Sequence, residues 1–442
     1  MSSNGHRPRP YLSIVATARN DNHGGGLLHR MQLFVENVVG QCNRHGIDAE
    51  LVLVEWNPPA DRPRLADALT WPEDTGSCRV RIIEVPHEVH ASLRHAERLP
   101  LFQMIAKNVG IRRAEGDFVL VTNIDLLFSD ALMTWIARRR LEHGVLYRTD
   151  RYDTDAELAP GAPVDEQLSA AERRVIRIHR RDGTLDLRDG TFYRIYDSLY
   201  YLPWWIGVPI RLVRDLWRPA LLAPLRLARL LLDFPSRLRR ALAKRRGGAA
   251  PRGRIGRILT ALSRRPLRPL RYCVIAGLLA MTVAQLSWER MMNRIRILSK
   301  LFLLERSRVK LHTNASGDFE LLAARDWWRT NGYAEFEMYS MHLDSLHMYM
   351  AHWSGIREHF LPFKVFHLEH EGGFKPDPVG SGKLNERLAR DAIQQISNEQ
   401  LFDWIVEMAQ ARQPLVFNDD RWGFADHVFP ETTVPVGAGA TV

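Results

Sequence analysis

Apolar and polar positions follow a regular order over the first third of the chain. Four apolar runs have the length of β-strands: residues 11–18, 50–56, 80–85 and 118–122. Two longer stretches repeat apolar residues at helical spacing: residues 27–42 and 102–113. Strands that alternate with helices are typical of crossover connections. The pattern therefore predicts an α/β fold with a mostly parallel sheet flanked by helices.

Similar patterning returns near residue 311 and continues toward the end of the chain. It predicts a helix over 345–355, a strand over 364–370 and a helical stretch over 384–411. We therefore expect one α/β domain in two parts, a large insertion between them and a C-terminal helical tail. The expected bounds are residues 10–194 and 311–380 for the domain, 195–310 for the insertion and 381–442 for the tail.

Charge sets the expected insertion apart from the rest of the protein. Residues 195–310 hold 25 Lys and Arg against 5 Asp and Glu, whereas the rest of the chain holds 36 against 46. Its arginines recur at helical intervals between Leu, Ile and Trp. A basic helical insertion of this kind is typical of a segment that lies on an anionic membrane surface.

A basic insertion can also have a protein or a nucleic acid as its partner. A helical arm that packs on a partner protein stays open, whereas the many Leu and Ile between the charges disfavour nucleic acid. The uncharged run 273–286 has 14 residues, short of the ~20 that span a bilayer. This run could dip into the membrane or form an ordinary buried helix.

Cysteine usage and the N-terminus bear on the compartment. The three cysteines are scattered and form neither a disulfide framework nor a zinc motif. The first ten residues are polar and lead directly into a strand, so they show no secretory signal. We therefore expect a cytoplasmic protein that is peripheral on the inner membrane face.

The strand over 118–122 ends on Asn123-Ile124-Asp125. Ligands of α/β folds bind at the carboxyl ends of the strands. On an extended chain Asn123 and Asp125 would point the same way, toward one bound species. The alternative is that Asp125 caps the next helix.

A second candidate ligand set is the pair His367 and His370. In a regular strand the two imidazoles would point to opposite faces, but a chain that curves after Phe366 would bring both to one metal. The alternative is a buried or hydrogen-bonded histidine pair. Carboxylate oxygens and imidazoles with open positions suit Mn²⁺ or Mg²⁺ bound together with a diphosphate.

The third part of the chain resembles a known family. Its segments Gly317-Asp-Phe319, Leu322 to Trp327 and Asn331-Gly-Tyr333 are similar to the carboxy-terminal part of the β-1,4-galactosyltransferase type among the metal-dependent GT-A glycosyltransferases. This resemblance implies that Asp344 is the catalytic base. It also implies that His367 and His370 hold the positions of the Met-x-x-His metal motif, with His in place of Met.

The first part resembles the family-2-like nucleotide-sugar domains of the same fold. The matching positions are Asn108, Gly110, Ala114, Gly116 and Phe118, and Asn123-Ile-Asp125 stands where that family has Asp-x-Asp. The resemblance implies that residues 10–194 bind the nucleotide-sugar and residues 311–380 the acceptor and the metal. By it, Asp125 is a metal ligand, while Asn108 and Asn123 are donor-binding residues.

The chemistry of sugar transfer fits these residue types. Negative charge grows on the leaving diphosphate, which a divalent ion held by Asp125 and His370, with His367, would neutralise. The acceptor hydroxyl must lose a proton, for which Asp344 is the candidate base, although Asp344 could instead cap the following helix. Further candidates for nucleotide binding follow the first two strands: Arg19, Asp21 and Glu55.

The expected function is therefore a metal-dependent, inverting glycosyltransferase of the GT-A fold. It would use a nucleotide-diphospho sugar and act on a lipid-linked or polysaccharide acceptor at the membrane. Two alternatives stay open. One is a nucleotidyltransferase, and the other is a catalytically degenerate GT-A fold kept as a membrane-bound scaffold.

Overall fold

The computed structural model describes residues 9–72, 76–195, 309–370 and 385–434, and the single positions 288 and 292. The chain divides into two units, Met1–Tyr196 with Val309–Val442, and Asp197–Arg308. Apart from residues 195, 288, 292, 309 and 310, the expected basic insertion, with its uncharged run 273–286 and its membrane-binding pattern, lies outside the described residues. Among the described helices, none has both the length and the apolar character needed to cross a bilayer.

One twelve-stranded sheet organises the described part of the first unit. Its strands are β1 (Leu12–Ala18), β2 (Ala49–Trp56), β3 (Cys78–Val85), β4 (Phe118–Thr122), β5 (Leu126–Phe128), β6 (Val145–Thr154), β7 (Val175–Arg180), β8 (Gly183–Asp186), β9 (Phe192–Arg194), β10 (Phe319–Ala323), β11 (Arg357–Leu368) and β12 (Glu431–Thr433). The helices are α1 (Leu27–His45), α2 (Leu65–Ala68), α3 (His87–Ala91), α4 (Gln103–Arg113), α5 (Asp130–Ala137), α6 (Val164–Arg173), α7 (Ala324–Trp328), α8 (Leu343–Trp353) and α9 (Asn398–Ala411).

The four strands predicted near the N-terminus form a parallel block in the order β3-β2-β1-β4. Every residue of β1 and β2 is buried, which explains their nearly continuous apolar sequences. The buried exceptions in β2 are Glu50 and Glu55, and the Glu50 carboxylate is ion-paired with Arg79 and Arg81. The predicted α/β fold is confirmed by this block.

Helices cover both faces of the parallel block. Helix α1 shares a core cluster with alternate residues of β1, among them Ile14. Helix α4 lies on the other face, where Gly110 approaches Val15 so closely that a Cβ would stand 2.5 Å from a Val15 methyl group. A glycine is therefore required at residue 110 for the helix to pack at this distance.

The rest of the sheet is mixed, so the prediction of a mostly parallel sheet is wrong for the sheet as a whole. Strand β10 pairs antiparallel with β4 and β6, and β7, β8 and β9 continue as an antiparallel meander. At the opposite edge, β12 pairs antiparallel with β3. The parallel block is thus extended on both sides by antiparallel strands.

Strand β11 determines where the functional residues meet. It runs parallel to β6 and antiparallel to β5, so that His367 is the ladder partner of Asp153 on one side and of Leu126 on the other. The strand starts seven residues before the predicted segment and ends at Leu368. His370 therefore lies beyond the end of the strand.

The C-terminal part is only partly the continuous helix that was predicted. A helical stretch covers residues 385–390, and α9 follows after a break of irregular backbone. Ser397 caps α9 by accepting a hydrogen bond from the Gln400 N–H. Asp344 lies in the first turn of α8, because this helix begins two residues earlier than the sequence pattern predicts.

Candidate metal centre

The site lies where the order of the strands reverses. From β1 the chain proceeds to β2 and β3 on one side, and then returns to β4 on the other side of β1. The carboxyl ends of β1 and β4 therefore border the crevice in which α/β folds bind their ligands. Residues 19–26 follow β1 at this edge, and residues 123–125 follow β4.

Three predicted metal ligands come together at this edge. The Nε2 atoms of His370 and His367 lie 3.3 Å and 3.7 Å from the Asp125 Oδ2 atom. When each metal–ligand bond is about 2.1 Å long, two ligand atoms of one ion are at most ~4.2 Å apart. The distances from Asp125 Oδ2 to the two histidine nitrogens are both below this limit. The chain leaves β11 after Leu368, so His367 and His370 do not point to opposite faces of one strand. Both imidazoles reach Asp125, as the predicted curve of the chain would allow.

The buried carboxylate of Asp125 has spare bonding capacity. The residue is 8% exposed, and its Oδ1 atom is buried without a hydrogen-bond partner among the described residues. Burial opposes ionisation, but His367 and His370 hold the pKa of Asp125 well below its usual range. A buried anionic oxygen without a partner, beside two imidazoles, is a donor set that fits a divalent metal ion.

Asp153 orients one of the two imidazoles. Its Oδ1 atom lies 3.2 Å from His367 Nδ1, so the Nε2 atom of the same ring faces Asp125. Burial and Arg151 disfavour a charged His367, but Asp125 and Asp153 outweigh them and raise the pKa of His367 to about 10. Metal-binding histidines commonly carry such a carboxylate on their second nitrogen.

Asp153 is itself held by basic side chains on its own strand, β6, and on the neighbouring strand β7. Arg151 Nε, Arg177 Nε and His179 Nε2 lie 2.9, 2.8 and 2.8 Å from its two oxygens. These groups keep the pKa of Asp153 well below its usual range despite burial. Glu369, which could join Asp153 and His367 in a second metal group, is ion-paired to Arg177. We therefore assign Asp153 to support of the site rather than to metal binding.

The candidate base Asp344 is tied to the same region by a buried lysine. Its Oδ2 atom accepts a hydrogen bond of 2.7 Å from the Gly317 N–H. The Gly317 carbonyl accepts one of 2.7 Å from Lys107 Nζ, which is fully buried. Asp344 Oδ1 also accepts from the N–H of Ser345 in its own helix. The carboxylate is thus held in one position and is partly exposed.

Asn123 and Asp125 do not point to one species. The extended-chain premise fails because β4 ends at Thr122 and the following residues form a turn. Asn123 accepts a hydrogen bond from Gln103 and donates one to Asp318. Its amide is therefore used within the protein, while Asp125 faces the histidines.

Asn108 is fully buried and joins the two parts of the domain. Its side chain accepts a hydrogen bond from the Tyr333 N–H and donates to the Tyr333 carbonyl and to Glu335. All of its polar atoms are thus occupied by the segment that carries the Asn-Gly-Tyr motif. In the described structure Asn108 therefore holds residues 333–335 in place through hydrogen bonds.

The remaining predicted nucleotide-binding residues surround the carboxyl ends of β1 and β2. Arg19 is ion-paired with Asp21 at 2.9 Å, and its Nε donates to the Asn57 carbonyl. Glu55 accepts the Leu65 N–H at 3.0 Å at the start of α2. Burial raises the pKa of Glu55 to about 7, although the hydrogen bond from Leu65 opposes this shift.

Sequence reasoning missed several residues that shape the site: Asp153, Arg151, Arg30, Lys107 and His23. A signal exists for two of them, because Arg151 and Asp153 are two apart in a strand and so share a face. Two opposite charges on one face of a strand indicate a buried network of ion pairs. Arg30 and His23 become relevant only through the position of the loop after β1.

No family model matches this chain, and no curated protein matches it. Function has to be inferred from the geometry of the site.

We predict that Asp153→Asn weakens Mn²⁺ binding by about 10–100-fold, since it removes the charge that orients His367. Electron paramagnetic resonance of free Mn²⁺ during a titration measures this change. Asp155→Asn is the matched control, because Asp155 is exposed and pairs only with Arg174 among the ion pairs of the described residues. A folded Asp153→Asn protein that binds Mn²⁺ like the wild type would contradict the assignment.

Proposed function

We propose that the protein is a metal-dependent glycosyltransferase with a GT-A type fold. It moves a sugar, with inversion, from a nucleotide-diphosphate donor to an acceptor hydroxyl. The observation that carries this proposal is the convergence of Asp125, His367 and His370 at the strand-order reversal between β1 and β4. An α/β edge with a metal-binding donor set is where a nucleotide diphosphate would be held.

The proposed metal ligands are Asp125, His367 and His370, and the ion is Mn²⁺ or Mg²⁺. Bound there, it would neutralise the charge that grows on the diphosphate as the sugar leaves. Two imidazoles in the donor set favour Mn²⁺, because Mg²⁺ prefers oxygen ligands.

The proposed base is Asp344, which would accept the proton of the attacking hydroxyl. Its two hydrogen bonds from backbone N–H groups, at Gly317 and Ser345, hold the carboxylate in one position. We assign donor contacts to Arg19 and Asp21, which lie after β1 at the same edge of the sheet.

The other three predicted donor-binding residues support the site from within the protein. Glu55, Asn108 and Asn123 are engaged with Leu65, with Tyr333 and Glu335, and with Gln103 and Asp318. We therefore propose that they shape the donor pocket rather than contact the nucleotide.

The alternative function is a catalytically degenerate scaffold of the same fold. One observation favours it: the guanidinium of Arg30 and the imidazoles of His367 and His370 already surround Asp125. A cluster neutralised in this way can be stable without a metal ion. The unpartnered Asp125 Oδ1 atom favours the metal site instead.

We predict that hydrolysis of a nucleotide-diphospho sugar depends on Mn²⁺ and falls at least about 100-fold in Asp125→Ala, because charge stabilisation of the leaving group is lost. A panel of donors with different bases and sugars is assayed for release of the nucleoside diphosphate. Asp155→Ala is the control for removal of an exposed carboxylate.

Asp344→Asn separates the base from the metal site in the same assay. We expect this variant to bind Mn²⁺ like the wild type while its turnover falls. The enzyme proposal fails if no donor in the panel is bound or hydrolysed in a manner that depends on metal or on Asp125.

We also propose that the basic residues 195–310 hold the protein on the inner face of the cytoplasmic membrane, near lipid-linked or polysaccharide acceptors. The support is the charge of this block, 25 basic against 5 acidic residues.

We predict that the full-length protein floats with liposomes that contain anionic lipid, that 0.5 M NaCl reduces flotation, and that a chain lacking residues 200–305 stays behind. Neutral phosphatidylcholine liposomes are the control, because electrostatic attraction requires anionic headgroups. Unchanged flotation of the shortened chain would refute the membrane role.

A further inference from the structure

The loop after β1 brings a third imidazole to the metal centre. The ring centroid of His23 lies 6.1 Å from that of His370, edge to face, and the His367 ring is 5.5 Å from His370. His23 is exposed, whereas His367 is buried in the sheet. The three imidazoles therefore form a continuous row that starts next to Asp153 and ends in the loop.

The backbone of this loop is built for a tight turn. Asn22, Gly24, Gly25 and Gly26 have φ angles of 60°, 65°, 71° and 59°. Glycines adopt this left-handed region without steric cost and also move readily between regions of φ. His23, which this loop carries, lies outside the group of ligand atoms formed by Asp125, His367 and His370, so a change of backbone angle at these glycines would bring its imidazole onto a shared ion.

Arg30 links the loop to Asp125. One nitrogen of its guanidinium donates to the His23 carbonyl at 2.8 Å, and another donates to the Gly25 carbonyl. Its Nε atom lies 4.0 Å from Asp125 Oδ2 and has no hydrogen-bond partner among the described residues. Arg30 is only 6% exposed. A single planar group thus contacts both the backbone of the loop and the carboxylate of Asp125, so the position of the loop is linked to the charge at this carboxylate.

We propose that His23 is a further metal ligand, carried by the glycine-rich loop, which closes over an ion held by Asp125, His367 and His370. This inference rests on the metal site of the proposed function. The inference goes beyond the proposed function because it adds a ligand from the glycine-rich loop, outside the His-x-x-His pair and the Asn-Ile-Asp segment.

The added imidazole changes the class of metal that the site prefers. Three imidazoles and one carboxylate form a nitrogen-rich set that suits transition metals such as Mn²⁺, Co²⁺ and Zn²⁺, whereas Mg²⁺ favours oxygen ligands and keeps its water. We therefore expect the protein to bind Co²⁺ much more tightly than Mg²⁺, with His23 responsible for part of the difference.

The test uses the full-length protein with Co²⁺ as the probe, because its visible absorption depends on the number and type of ligands. We expect His23→Ala to weaken Co²⁺ binding about tenfold or more and to alter the absorption bands. Mg²⁺ binding, measured by competition, should change less. His29→Ala is the matched control, since His29 is exposed and lies on α1.

Added imidazole provides a readout that a structural role would not affect. It should restore the wild-type Co²⁺ spectrum in His23→Ala but leave His29→Ala unchanged. The proposal is overturned if His23→Ala matches the wild type in Co²⁺ affinity and spectrum. A wild-type protein that binds no Co²⁺ or Mn²⁺ would overturn the metal centre as well, so the two failures are distinguishable.

Discussion

A buried carboxylate at the end of a parallel strand is the constraint on which the rest of this structure depends. Asp125 is buried at the edge of the sheet. An isolated charge in that position would lower the free energy of unfolding by several kcal/mol. Its compensation comes from three separate places: Arg30 on α1, His367 on β11 and His370 just after it. Because these elements are far apart in sequence, the carboxylate helps define how the two parts of the domain assemble.

The ladder around β11 provides the precision that such a site needs. His367 is flanked by Asp153 on β6 and by Leu126 on β5, the residue that follows Asp125. A slip of one residue in either ladder would turn the imidazole to the opposite face of the sheet. The charges on β6 and β7 that hold Asp153 therefore also hold the geometry of the candidate metal centre. Sugar transfer is the proposed use of that geometry.

The pattern of the sequence predicts the parallel block, because long buried strands leave a clear apolar signal. The three residues of the cluster are predicted with the help of the family resemblance, because a His-x-x-His pair alone is a weak signal among 17 histidines. The mixed character of the sheet could not be predicted in the same way. Strands β6 and β7 bury Arg148, Asp153, Arg177 and His179, so their buried faces do not look apolar. Strand β10 joins β4 from almost 200 positions along the chain. The roles of His23 and Arg30 depend on the path of a loop that periodicity does not describe.

Anomalous diffraction tests the central claim most directly. Crystals soaked in Mn²⁺ would be measured on both sides of the manganese absorption edge, so that the difference locates the ion. The account predicts one strong peak within bonding distance of Asp125, His367 and His370. A crystal that is fully soaked, with an accessible site, and that shows no manganese peak there would contradict it.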